Sequence, residues 1–166
     1  MKFPLKNIIP FIPEIGSPAD FAHKRSFYWH PGIDLWCESN VEVQAIEDGT
    51  VVHIENFTGC DANPPSPWWN ETWSILVEGS SGVIGYCELK PLPHIVVGSK
   101  IKEGNVIANI IPVLKQNKGN GLSMLHLELY VPGTKHHVTW YHDEDQPKEL
   151  LNPRQLLEQI IVNNSI

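Results

Sequence analysis

Between residues 41 and 133, turn-forming residues recur so closely that most intervening runs are long enough for a strand and too short for a helix. Asp48-Gly49, the run Gly79-Ser80-Ser81-Gly82, Gly98, Gly104, Gly121 and Pro132-Gly133 supply the punctuation. Val41, Val43 and Ala45 alternate before Asp48-Gly49, with residues 50–55 after it, which predicts a hairpin. Residues 73–77 and 83–89 predict a second hairpin around Gly79 to Gly82, and residues 95–97, 106–111 and 122–131 predict further strands. Strands at this spacing indicate an all-β sandwich or barrel rather than alternating βαβ units.

Three segments depart from the pattern. Residues 1–26, broken by Pro4, Pro10 and Pro13, read as an extended N-terminal arm leading into one domain over residues 27–162. Residues 57–70 hold Gly59, Pro64, Pro65 and Pro67, which predicts a long loop. Residues 152–161 predict a helix, with Asn152 as cap, Pro153 at its first position, and Leu156, Leu157, Ile160 and Ile161 on one apolar face.

At 166 residues the chain suits one core. With 12 basic and 19 acidic residues its formal charge is −7, which argues against a nucleic acid or an anionic membrane as partner, since both need a basic face. No apolar run has the length of a signal peptide core or a membrane-spanning helix, so the cytosol is the default expectation, with export by another route left open. Cys37, Cys60 and Cys87 show no metal-type pairing and are expected to be buried free thiols.

The chemistry concentrates in His30-Pro31-Gly32-Ile33-Asp34. A sharp turn at Pro31-Gly32 would bring His30 and Asp34 to one metal ion, and imidazole nitrogen and carboxylate oxygen both suit zinc. On its own this spacing is common by chance. The second element is Met124-Leu125-His126-Leu127-Glu128-Leu129-Tyr130. As a strand it puts Met124, His126 and Glu128 on one face and the three leucines on the other, toward the core. A third ligand from His126 would leave a fourth position open, as catalytic zinc sites do.

Together these segments resemble the lysostaphin-type zinc metallopeptidases, which include the LytM-like wall endopeptidases. His30-Pro31-Gly32-Ile33-Asp34 matches that family's first motif in full, and Leu125-His126-Leu127-Glu128 is similar to its Leu-His-Phe-Glu strand. Residues 43–51, 97–107 and 151–153 are similar to further family segments, in the right order. The resemblance implies a lysostaphin-like β fold, a zinc ion held by His30, Asp34 and His126, and a peptide or peptidoglycan-type ligand. It also exposes two departures. Met124 stands where the family has the first histidine of His-x-His, and Glu88, in Tyr86-Cys87-Glu88-Leu89, stands where it has another auxiliary histidine. An alternative register, with Glu128 as ligand and His126 in the auxiliary place, spoils the flanking match.

Zinc can polarise a carbonyl, but peptide hydrolysis also needs a group that moves protons. Met124 moves none, so Glu88 becomes the candidate base. The expected function is a divergent, weakened peptide hydrolase. The alternative is an inactive zinc-stabilised binding or regulatory module, as in the leukocyte-derived chemotaxins, which the run Tyr86 to Pro91 resembles. A sugar-transport phosphocarrier is disfavoured by Asp34, which completes a ligand set rather than a phosphohistidine pair. Trp68 and Trp69 are candidate walls for a peptide or sugar ligand, with a covering or interface role as the plainer expectation. His136, His137 and the acidic run 143–145 read as a solvated loop.

Overall fold

A computed structural model describes residues 1–164. Its elements run β1 (Ile33–Trp36), β2 (Glu42–Gln44), β3 (Gly49–Thr58), β4 (Thr72–Gly79), β5 (Gly82–Pro91), β6 (Lys100–Ile101), β7 (Val106–Ile110), β8 (Met124–Tyr130), β9 (Leu150–Leu151) and α1 (Arg154–Asn164). The fold is all-β with a C-terminal helix. Nine strands form one open antiparallel sheet with the path β1-β8-β5-β4-β3-β6, and β9 and the β7-β2 pair branch from it.

The β4–β5 hairpin forms as the sequence predicts, with Gly79 opposite Gly82. The hairpin expected across Asp48-Gly49 does not. β2 pairs with β7, whereas β3 pairs with β4 and β6. Asp48 lies where the two strands diverge, and its carboxylate accepts from Lys102 Nζ and from the Glu103 amide, both at 2.8 Å. The turn is therefore tied to the neighbouring glycine turn rather than closing on its own flanks. Residues 95–97 form turns instead of a strand, with Ser99 N donating to Val96 O and the side chains of Val96 and Val97 exposed.

β8 carries the expected two-faced pattern. Leu125, Leu127 and Leu129 enter the main core with Ile33, Leu35, Ile75, Ile84 and Tyr86, each leucine contributing about 1.5–3 kcal/mol by its burial. The other face is polar. Across five strands, Glu55, Ser74, Cys87, His126 and Asp34 are successive partners and form one rung on it. Helix α1 closes the core with Leu156, Leu157 and Ile160, and Asn152 Oδ1 accepts from Arg154 N at 2.9 Å as its cap.

The sheet forks inside β5. Cys87 pairs with His126 of β8, but Leu89 pairs with Ile110 of β7. Glu88 lies between them, bulged and in the left-handed region with φ 66°, a conformation that residues other than glycine seldom adopt.

The N-terminal segment is held against the domain. Phe3 and Leu5 are buried in the core, and Leu5 bridges to Val43. The cysteines need one correction. Cys87 is buried and Cys37 half-buried, but Cys60 is exposed, because it follows Gly59 (φ 100°) where the chain leaves β3.

Candidate metal centre

His30 precedes β1, Asp34 lies within it, and His126 lies opposite Asp34 on β8. All three side chains are buried. His30 Nε2 is 3.0 Å from Asp34 Oδ1 and 3.1 Å from His126 Nδ1, and His126 Nδ1 is 2.8 Å from the same Asp34 oxygen. Tetrahedral zinc with bonds of about 2.0–2.1 Å spaces its ligands by about 3.3 Å, so this triangle needs only slight expansion to take the ion. Glu128, the ligand of the alternative register, lies outside the triangle.

The outer nitrogens of both histidines are engaged, which leaves the inner ones for a metal. His30 Nδ1 donates to the Asp20 carbonyl at 2.7 Å, and His126 Nε2 donates to Glu128 Oε1 at 3.0 Å. Asp20 is fixed in turn by Arg154 of α1 at 2.6 Å and by the Gly16 amide at 2.8 Å. Arg25 Nη2 donates to the other Asp34 oxygen at 2.8 Å. The two arginines of the chain thus both support the site, one behind each end of the His30–Asp34 motif.

Electrostatics favour a cation between the donors. Burial opposes ionised Asp34, yet His30 and His126 hold its carboxyl far below the usual range. Burial likewise opposes a charged His126, but its hydrogen bonds to Asp34 and Glu128 push it up to about 10. A site that holds a proton this firmly also suits a divalent ion, which brings more positive charge to the same oxygens.

Glu88 is half-buried beside this triangle. Burial first, then Asp34 and Glu128, push its carboxyl up to about 8, against the opposing pull of His126 and Arg25. Among the described residues its Oε2 is buried without a hydrogen-bond partner. Met124 shares the face of His126 two positions earlier, opposite Trp36, and is also buried.

Trp68 and Trp69 lie in the loop between β3 and β4. They stack edge to face at 5.9 Å in a loop fastened to residues 112–115, where Asn70 N donates to Val113 O and Lys115 Nζ to Pro67 O. Trp68 is exposed, and neither lines the cavity of about 260 Å³ bounded by Arg25, Asp34, Trp36 and Asn120. Phe57, at the start of the predicted loop, does meet the site, stacked on His126 at 5.7 Å.

Sequence reasoning missed Arg25, Arg154, Asp20 and His137. The rarity of arginine was a usable signal, since only two of the 12 basic residues are arginines. His137 was expected in a solvated loop. It is instead packed inward, bonded through Nδ1 to Glu128 Oε2 and through Nε2 to Ser74 Oγ. Ser74 and Cys87 occupy the middle of the polar rung, and their neighbourhood exists only once the strands are paired.

No family model matches the chain, and no curated protein does. Solved structures do. LytU superposes with a TM-score of 0.55 at 18% identity, over 95% of this chain and 91% of that one. The mutant catalytic domain of the prophage-encoded M23 protein EnpA from Enterococcus faecalis gives 0.51 at 17%, over 82% and 98%. Lysostaphin gives 0.50 at 18%, over 87% of this chain and 56% of its own. The chain therefore has the lysostaphin-type, M23-like fold, and it spans little more than half of lysostaphin.

Proposed function

We propose that the protein is a divergent zinc-dependent peptide hydrolase of reduced activity, acting on a peptide or peptidoglycan-type ligand. The observation that carries this proposal is the convergence of His30 Nε2, Asp34 Oδ1 and His126 Nδ1 at 2.8–3.1 Å, with both outer nitrogens already committed. Two imidazoles and a carboxylate are a zinc-type donor set. Bound there, zinc would supply Lewis acidity, polarising a substrate carbonyl and acidifying water.

The protein's own residues supply the proton transfers. Glu88 accepts the proton of the attacking water and passes it to the leaving amine as the C–N bond breaks. Its buried Oε2 has no hydrogen-bond partner among the described residues, which leaves it free for that exchange. Arg25 fixes the orientation of Asp34, while Asp20 and Glu128 fix the two histidines. Met124 supplies no proton and no hydrogen bond, which lowers the rate by a factor of about 10²–10⁴ relative to an enzyme with a histidine there.

A second function is favoured by a different observation. Arg25 covers the outer oxygen of Asp34, and the three donor residues are only 3–5% exposed. That enclosure suits a zinc-stabilised binding module. The deciding experiment is release of new amines from glycine-rich and wall-type peptides by the zinc-loaded protein, with His30→Ala as blank. Slow release that Glu88→Gln abolishes while zinc is retained supports the hydrolase. No release from any peptide, with one zinc per chain, supports the binding module.

A further inference from the structure

We propose that His137, outside the metal triangle, is a positioning residue that acts through Glu128 to hold His126 in its metal-binding orientation. The inference rests on the metal site proposed above and extends it to a residue of the segment after β8.

Glu128 is 1% exposed, and a buried carboxylate is costly unless its oxygens are hydrogen-bonded. Here Oε1 accepts from His126 Nε2, and Oε2 accepts from Tyr130 Oη at 2.7 Å and from His137 Nδ1. The carboxylate therefore anchors the His126 ring at Nε2. With Nε2 held on Glu128, His126 Nδ1 is turned toward His30 and Asp34.

Both His137 nitrogens are engaged, Nδ1 by Glu128 Oε2 and Nε2 by Ser74 Oγ at 2.8 Å, where the hydroxyl serves as donor or acceptor. His137 is also packed, with its ring 5.0 Å from Phe57, whose own ring stacks on His126. Gly85 makes the room, since a Cβ there would come within 3.2 Å of Glu128 Cβ. Cys87, Glu128 and His137 also lie close enough to hold a second ion. Two features oppose that use. Glu128 already has three donors, and burial, reinforced by surrounding carboxylates, keeps Cys87 a thiol.

The test is zinc affinity, measured by competition with a chromophoric chelator, and the visible spectrum of the cobalt-substituted protein. The full chain is compared with His137→Phe and His137→Asn. Asparagine places an N–H near the position of Nδ1, whereas phenylalanine fills the space without one. We expect one zinc per chain throughout, affinity about tenfold weaker with an altered cobalt spectrum in His137→Phe, and recovery to within about threefold in His137→Asn. Parental affinity in a folded His137→Phe overturns the proposal, as does equal weakening in both variants, which marks a packing role. A second zinc in the parent that His137→Phe removes makes His137 a ligand and overturns it too. His30→Ala is the separate control. Unchanged zinc binding in that variant overturns the metal site itself, whatever His137 does.

Discussion

Gly32 lies directly against His126, and a Cβ on Gly32 would sit 2.9 Å from both Cε1 and Nε2 of that ring and closer still to the Leu127 carbonyl. The glycine of the His30–Asp34 motif is therefore a packing requirement of His126, 94 positions away in a sequence that shows no link between them. Gly32→Ala should push the His126 ring off Glu128 and away from Asp34. The expected result is loss of most bound zinc together with about 1–3 kcal/mol of stability, read by metal analysis and chemical denaturation. Parental zinc content in Gly32→Ala would mean that the ring relaxes without leaving the site.

Zinc should be a fold stabiliser, because the candidate ligands join the start of β1 to β8. Purified without chelator, the protein should carry close to one zinc per chain, and His30→Ala or His126→Ala should remove most of it. A ligand present at 100 times its Kd stabilises by about 2.7 kcal/mol, so chelation should lower Tm by several degrees at least. Identical melting curves with and without chelator would show that binding and folding are not coupled.

Much of this centre was legible as residue types and spacing. The period-two pattern of β8 separated His126 and Glu128 from the leucines, and the turn at Pro31-Gly32 placed His30 near Asp34. Partner strands were not legible, because alternation reveals a strand's faces and leaves its neighbours open. Thus the alternation of residues 41–45 predicts a hairpin with the strand after Asp48-Gly49, whereas β2 pairs with β7. The polar rung from Glu55 to Asp34 joins five strands, so no local window contains it. His137 was hidden for the same reason, since its two partners, Glu128 and Ser74, belong to different strands.

The thiols should separate cleanly by reactivity. Cys60 is exposed, Cys87 is buried, and burial of Cys37 pushes its thiol up to about 12. Thiolate is the reactive form. A disulfide reagent at pH 8 should therefore titrate one thiol rapidly in the native protein and three after denaturation, and Cys60→Ser should remove the fast phase. Fast reaction of two or more thiols in the folded protein would contradict this assignment.

Stability of the metal-free protein should fall with rising pH, in part through Glu88. Its carboxyl is pushed from an ordinary 4.5 up to about 8 in the folded state, chiefly by burial. Between those values the unfolded chain has released the proton that the folded chain keeps, so stability is lost progressively from about pH 4.5 to about pH 8. His126, raised to about 10, acts in the same direction over a higher window, from its ordinary 6.5 upward. Comparing the parent with Glu88→Gln isolates the first contribution. The variant should lose less stability between pH 5 and pH 8 than the parent, as read by urea denaturation in the presence of chelator. Parallel pH curves for the two proteins would place Glu88 in water.

Met124→His should raise hydrolysis, and the structure supplies both the reason and the difficulty. Met124 and His126 share one face of β8, and Asp34 and Trp36 lie opposite them on β1. An imidazole at position 124 would therefore enter beside the metal triangle, on the side of Trp36. There it can donate a hydrogen bond to a developing oxyanion or a proton to the leaving amine, neither of which a thioether can do. Position 124 is 7% exposed, so part of the gain is offset by desolvating the ring, at a cost of about 1–3 kcal/mol in stability. The expected increase in peptide cleavage is about 10²-fold, at unchanged zinc stoichiometry, when the variant is assayed against the parent on the same peptides. Glu88→Gln placed in the Met124→His background should then lose most of what was gained, because the two groups move the proton at different stages of one reaction. A double variant as active as Met124→His alone would remove Glu88 from the chemistry. Absence of cleavage in zinc-loaded, folded Met124→His would leave the centre a structural and binding site.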